Sequence, residues 1–154
     1  MKKLLLPLFF LFFLFLLACS KEDGDSIKKA FTGAWNVQAE LRSVATDTPL
    51  DSLTPSHFIL ELYESDNGVI RTDQYERTLN WSLTEGNQSI LLSGKGIDPG
   101  TGFSYGDSSV QSVVYNIFYQ TELGGEWASD KQYSVIDTSG ATVPCLIHLF
   151  VAPK

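Results

Sequence analysis

The sequence predicts an all-β protein: an antiparallel up-and-down β-barrel of about eight strands behind a short helical turn. Three observations carry this expectation. Apolar and polar residues alternate with period two through most of the chain after Gly33, clusters of Gly, Asn, Asp and Glu punctuate the alternation, and no long stretch there keeps a helical period. Without crossover helices, successive strands are expected to pair antiparallel. Closing such a sheet into a barrel removes its exposed edges. An open β-sandwich of similar strand count is the alternative architecture.

The elements follow in order. Residues 26–31, Ser-Ile-Lys-Lys-Ala-Phe, suit one or two helical turns capped by Asp25 or Ser26. Trp35, Val37, Ala39 and Leu41 alternate with Asn36, Gln38, Glu40 and Arg42, a half-buried strand with one wet face. A second strand over 57–64 places Phe58, Leu60 and Leu62 on one side. Asp66-Asn67-Gly68 then carries the Asn-Gly hairpin signal. Strands three, four and five are expected over 69–75, 77–84 and 88–93, with Leu79, Trp81 and Leu83 inward and Glu85-Gly86-Asn87 turning the chain. A sixth strand spans 110–121 with Val113, Tyr115, Ile117 and Tyr119 sharing a face, and Leu123-Gly124-Gly125 is read as the next turn. The seventh and eighth strands fall at 131–137 and 145–151.

The start of the chain has a different character. Lys2 and Lys3 precede an apolar run over 4–17 broken only by Pro7, too short for a bilayer core that needs about 20 residues. A positive start, a short apolar run and a small residue at its end describe a secretory signal peptide. Leu16-Leu17-Ala18-Cys19 resembles the bacterial lipobox, which implies cleavage after Ala18 and acyl chains such as palmitate on Cys19. Two or more acyl chains anchor stably where one does not. The expected organisation is therefore a signal peptide over 1–18, a lipidated tether and helical turn over 19–32, and a barrel domain over 33–154. Ser20-Lys21-Glu22-Asp23-Gly24-Asp25 resembles an acidic signal that sends lipoproteins to the cell surface; a plain solvated tether is the other reading. The expected location is the outer membrane of the cell envelope.

Removing Lys2 and Lys3 from the 11 basic residues leaves nine against 18 acidic ones in the mature chain. Such a balance excludes nucleic acid as a partner, since phosphate backbones demand a basic face. With Cys19 acylated, Cys145 stands alone in the apolar run Pro144-Cys145-Leu146-Ile147 and is expected to be an inert buried thiol.

Gly33-Ala34-Trp35, opening the first strand after a helical turn, resembles the Gly-x-Trp signature of lipocalins. The stretch over 80–92, Asn-Trp-Ser-Leu-Thr-Glu-Gly-Asn-Gln-Ser-Ile-Leu-Leu, is similar to a hairpin of small lipocalin-like bacterial lipoproteins. The resemblance implies a calyx barrel whose closed end Trp35 plugs. The chain departs from the family in its second and third signature segments and in leaving no room for a helix after the barrel.

In a meander, alternate connections emerge at opposite ends. The long connections 45–56 and 94–109 share one end, where they would rim a mouth. The segment from Gly94 to Gly106 carries five glycines with Phe103 and Tyr105, a composition suited to a lid over a small ligand; packing of both rings onto the wall is the other reading. Trp127, among Gly124, Gly125 and Glu126, is placed at the closed end, as a partner contact or a packed turn residue. Catalysis has no support: no Gly-x-Ser-x-Gly, Cys-x-x-Cys or His-Glu-x-x-His pattern occurs. His57 and His148 lack further ligands at metal spacing, so neither a metal nor a cofactor is expected. The function expected from sequence is thus a non-enzymatic binding module holding a small apolar or amphipathic ligand at its mouth through Phe103 and Tyr105. The alternative is a filled barrel that docks another envelope protein.

Overall fold

The computed structural model describes residues 23–50, 56–73, 76–95, 110–137 and 139–154. After a short helix α1 (Asp23–Lys29) come nine strands: β1 (Gly33–Ser43), β2 (Ser56–Leu62), β3 (Asn67–Arg71), β4 (Glu76–Leu83), β5 (Ser89–Lys95), β6 (Val110–Thr121), β7 (Gly124–Ser129), β8 (Tyr133–Ile136) and β9 (Thr142–Pro153). The sheet runs β1-β2-β3-β4-β5-β6-β7-β9, and β1 pairs with β9, so eight antiparallel strands close a barrel. The ninth strand, β8, extends it. β7 pairs with 148–151 of β9 and β8 with 142–145, each antiparallel, so β8 takes over from β7 along one edge of β9.

The break between β7 and β8 has a visible cause. The Ser129 hydroxyl donates to Lys131 O at 3.0 Å and accepts from the Ile147 amide at 2.9 Å, replacing a ladder bond where the backbone turns aside. Asp130 N donates to Val114 O, which holds the detour against β6.

Period-two alternation sets the inside. Trp35, Val37 and Ala39 of β1, Phe58, Leu60 and Leu62 of β2, Leu79 and Trp81 of β4, and Ile147, Leu149 and Val151 of β9 are all buried. Facing strands share register so that inward residues meet: Trp35 opposes Leu60, Ile90 opposes Tyr115, and Ile117 opposes Trp127, which in turn opposes Leu149. Among the described residues, buried side chains pack against one another across this interior. Trp81, Trp127, Tyr115, Leu60, Ile70 and Leu92 are its largest fully buried members.

The end holding the start of β1 is closed. α1 lies against it, and Phe31 enters between Trp81 and Trp127 at centroid separations of 6.4 and 5.8 Å. The Trp35 indole donates to Phe31 O at 2.8 Å, and Gln120 donates to Ala30 O at 2.9 Å while accepting from the Trp127 indole at 2.9 Å. Lys28 bridges to Asp66 at 2.6 Å, tying the helix to the β2–β3 turn. Toward the opposite end smaller inward residues, Ala39, Ser43, Val113, Ser129 and Cys145, stand beside the larger Phe58, Leu92 and Ile147, all buried.

Several sequence expectations shift. The helix begins at Asp23, so Asp25 and Ser26 lie inside it and do not cap it. The β2–β3 turn is centred on Glu64 and Ser65, with Asp66 N donating to Tyr63 O and Asp66 at φ 64°, while Asn67 and Gly68 already belong to β3. A Cβ on Gly68 would sit 2.5 Å from Glu61 O, so close approach of β2 demands this glycine. Gly124 and Gly125 belong to β7, and the two-residue connection is Glu122-Leu123. A Cβ on Gly124, which has φ +141°, would meet Val151 O at 2.6 Å. The expected seventh strand over 131–137 corresponds to the short β8, and β7 was not foreseen.

Candidate functional site

The residues singled out from sequence fall in three places. Trp35 is buried at the closed end beneath the helix. Ala18, Cys19, Phe103 and Tyr105 lie outside the described residues, as does most of the expected lid. Its first two residues, Gly94 and Lys95, close strand β5. Trp127 is not a turn residue: it is fully buried in β7 and completes the core.

A concavity among the described residues lies on the outside of the barrel. Outward residues of four adjacent strands line a groove of about 510 Å³ over β9, β1, β2 and β3. Register explains its shape. Gln38 of β1 opposes Phe150 on one side and His57 on the other, and Asn36 likewise lies between Ala152 and Ile59. The Phe150 ring forms one wall, while Ile59, Arg71 and Asp73 form the other. Polar and apolar groups thus share a site within the volume range of small-molecule pockets.

Both walls are held in place. Arg42 stacks over the Phe150 ring at 4.8 Å and bonds to Glu40 at 3.3 Å. Gln38 donates to the other oxygen of Glu40 at 2.6 Å, and Asn36 donates to Pro153 O at 3.1 Å. Arg71 is gripped by Glu61 at 2.7 Å and Glu76 at 2.8 Å. The Tyr63 hydroxyl, 2.9 Å from Glu61, and then the Arg71 guanidinium hold the Glu61 carboxyl below its ordinary value, against the opposing effect of burial. The hydrogen bonds from Arg71 to Glu76 and Glu61 raise the guanidinium further, so it stays charged.

Beyond Phe150 the outer wall carries a second cluster, which sequence reasoning only half anticipated. His148 is on the outside of the barrel yet only 4% exposed. Phe118 and Phe150 stack on its two sides at 6.0 and 6.3 Å, and its Nδ1 meets Glu126 at 3.1 Å. A β-bulge between Ile117 and Tyr119 leaves Phe118 with no partner residue on β7 and presents its ring to solvent. In the sequence His148 shows only as a histidine of the last strand without further ligands at metal spacing; the bulge that brings Phe118 over it has no local signal.

The arrangement offers recognition chemistry. Among the described residues no group of three or more His, Cys, Asp or Glu is placed to hold a metal ion. Burial pushes the Cys145 thiol up, away from the thiolate form that a nucleophile requires. Comparison with family models, with curated proteins and with solved structures found no match.

Proposed function

We propose that this chain is a lipid-anchored protein of the outer membrane, built on a lipocalin-like barrel, that docks a partner protein of the envelope on its outer wall. The anchor reading rests on the signal peptide and lipobox pattern ending at Cys19. The lipocalin-like reading rests on Gly33-Ala34-Trp35, now joined by a closed eight-stranded barrel with Trp35 at its closed end. One observation carries the choice of partner surface: the interior is packed with Trp81, Trp127, Tyr115 and aliphatic side chains, while the groove of about 510 Å³ lies outside. The strands beneath the groove already pair on both sides, so a partner engages here through side chains and not by adding a strand. Amides, a guanidinium, a carboxylate and an aromatic ring in one trough suit a mixed polypeptide surface better than a purely apolar small molecule.

A second reading keeps a small apolar or amphipathic ligand at the mouth, and the small inward residues Ala39, Ser43, Val113 and Ser129 at that end favour it. One experiment separates the two: native mass spectrometry of the protein released from its own envelope fraction, with photo-crosslinking from Ile59 in the groove and from Ser112 on another part of the wall. A defined protein adduct crosslinked from position 59 and not from 112 supports groove docking. A small-molecule mass that disappears in Ala39→Phe supports the mouth. A bare mass with no crosslink from either position refutes both. Cys19→Ala is expected to abolish fatty-acid labelling and membrane association, and a variant that is still labelled refutes the anchor.

A further inference from the structure

We infer that the closed end of the barrel rests on the lipid surface, with Leu123 dipping into the headgroup region, so that the mouth points away from the membrane. This rests on acylation of Cys19, and chain geometry then constrains the rest. Only residues 20–22 separate Cys19 from α1, which begins at Asp23. Four Cα–Cα steps span at most about 14 Å, and the seven-residue helix adds about 10 Å. The C-terminal end of that helix is fixed to the closed end by Phe31 between Trp81 and Trp127, by Gln120 on Ala30 O, and by Lys28 on Asp66. A strand of 11 residues such as β1 is about 36 Å long. The tether is too short to let the mouth reach the bilayer.

The surface chemistry of that end is a separate observation. Ile27 on the helix, Tyr63 in the β2–β3 turn and Leu123 at the tip of the β6–β7 hairpin are exposed by 37%, 45% and 86%. All three belong to the closed end, and Leu123 is the most exposed large hydrophobic residue described. Phe118 and Tyr119, near the same end of β6, extend the apolar border up one side. Of the seven exposed large hydrophobic residues described, five belong to this end or its border, against Val44 and Ile136 at the other. A bilayer brought within reach by the acyl chains would cover such a group of residues. The described cations of this end, Lys28, Lys29 and Lys154, are matched in number by Glu64, Asp66 and Glu122, and Lys28 is paired with Asp66, so the end carries no basic patch. The contact is therefore apolar and insensitive to salt, and it does not need anionic lipid.

The test uses the full chain, expressed with its signal segment and reconstituted in vesicles of phosphatidylcholine and phosphatidylethanolamine. Intact mass first establishes acylation. Leu123→Cys and Ile136→Cys, the latter at the opposite end, are each labelled with an environment-sensitive fluorophore and read against a headgroup-level nitroxide quencher. The expected result is several-fold stronger quenching at position 123 than at 136, unchanged by high salt. A chain that carries no acyl mass refutes the anchor and this inference together. An acylated chain with equal quenching at both positions, or stronger quenching at 136, overturns the inference alone and leaves the anchor standing.

Discussion

Replacing Trp127 with alanine tests whether the barrel is a packed solid. The indole is fully buried, stands 5.8 Å from the Phe31 ring, and donates to Gln120 at 2.9 Å. Truncating a buried tryptophan removes its transfer free energy and leaves a cavity, together worth about 3–5 kcal/mol. Loss of the hydrogen bond adds little, because Gln120 reaches the surface and water can replace the indole there. Trp127→Phe keeps the ring against Phe31 and loses mainly volume at the indole edge and the bond, so a cost of about 1–2 kcal/mol is expected. Urea unfolding of the chain without residues 1–19, followed by fluorescence and circular dichroism, measures both. A small β domain has a slope of about 1–3 kcal/mol per molar, so the alanine variant should lose about one molar or more in midpoint. A loss below about 1 kcal/mol for Trp127→Ala would mean that the interior does not depend on this side chain. The filled-barrel argument, and with it the preference for the outer groove, would then fail.

Further predictions follow from the backbone, a thiol and a carboxylate. Gly124→Ala should destabilise by about 1–3 kcal/mol, because φ +141° is strained for an L side chain and the new Cβ meets Val151 O at 2.6 Å; a neutral result by urea unfolding would contradict the close approach of β7 to β9. Cys145, fully buried and with its thiol pushed up by burial, should resist alkylation in native buffer and react promptly in denaturant; ready labelling of the folded chain would refute its placement. Glu61, held below its ordinary value first by Tyr63 and then by Arg71, contributes stability that is fully present above the unfolded carboxylate value and is lost as pH falls through the lower folded one. The stability difference between wild type and Glu61→Gln should therefore shrink on acidification, and a difference that stays flat across that window would show that the contacts do not act on the ionised group.

Much of the architecture was legible because period-two alternation is a local property. Strand β6 (Val110–Thr121) falls at 110–121 as expected, and β1, β2 and β4 lie within a few residues of their expected places. The exception is instructive. Gly124-Gly125 carries the composition of a turn, but here the glycines serve strand crossing. A Cβ at Gly125 would collide with the Gln120 side chain, and one at Gly124 with the β9 backbone. Nothing local in the sequence distinguishes a glycine needed for a turn from one needed for a neighbour 27 residues away. Trp127, which composition places at the closed end as a partner contact or a packed turn residue, belongs to the core instead.

The candidate site was less legible for the same reason. Gln38, Ile59, Arg71 and Phe150 are each ordinary wet-face residues of their own strands, and only the pairing of β1 with both β2 and β9 brings them around one trough. His148 likewise stands alone in sequence and gains Glu126 and Phe118 through register and a bulge. By itself, the sequence determined the all-β class, the antiparallel meander from β1 to β6 and the inward placement of Trp35, Phe58, Trp81 and Tyr115, because side-chain alternation and turn chemistry act between near neighbours; it missed β7 with Trp127, and the bulge after Ile117 turns Tyr119 out of the face it was expected to share. Only the tertiary structure decided that β7 and β8 share one edge of β9, how the buried side chains of the described residues pack inside, and that wet-face residues of four adjacent strands form a groove on the outside. Those outcomes depend on register between strands as much as 118 residues apart, as Trp35 and Pro153 are, fixed by the combined packing of the whole core.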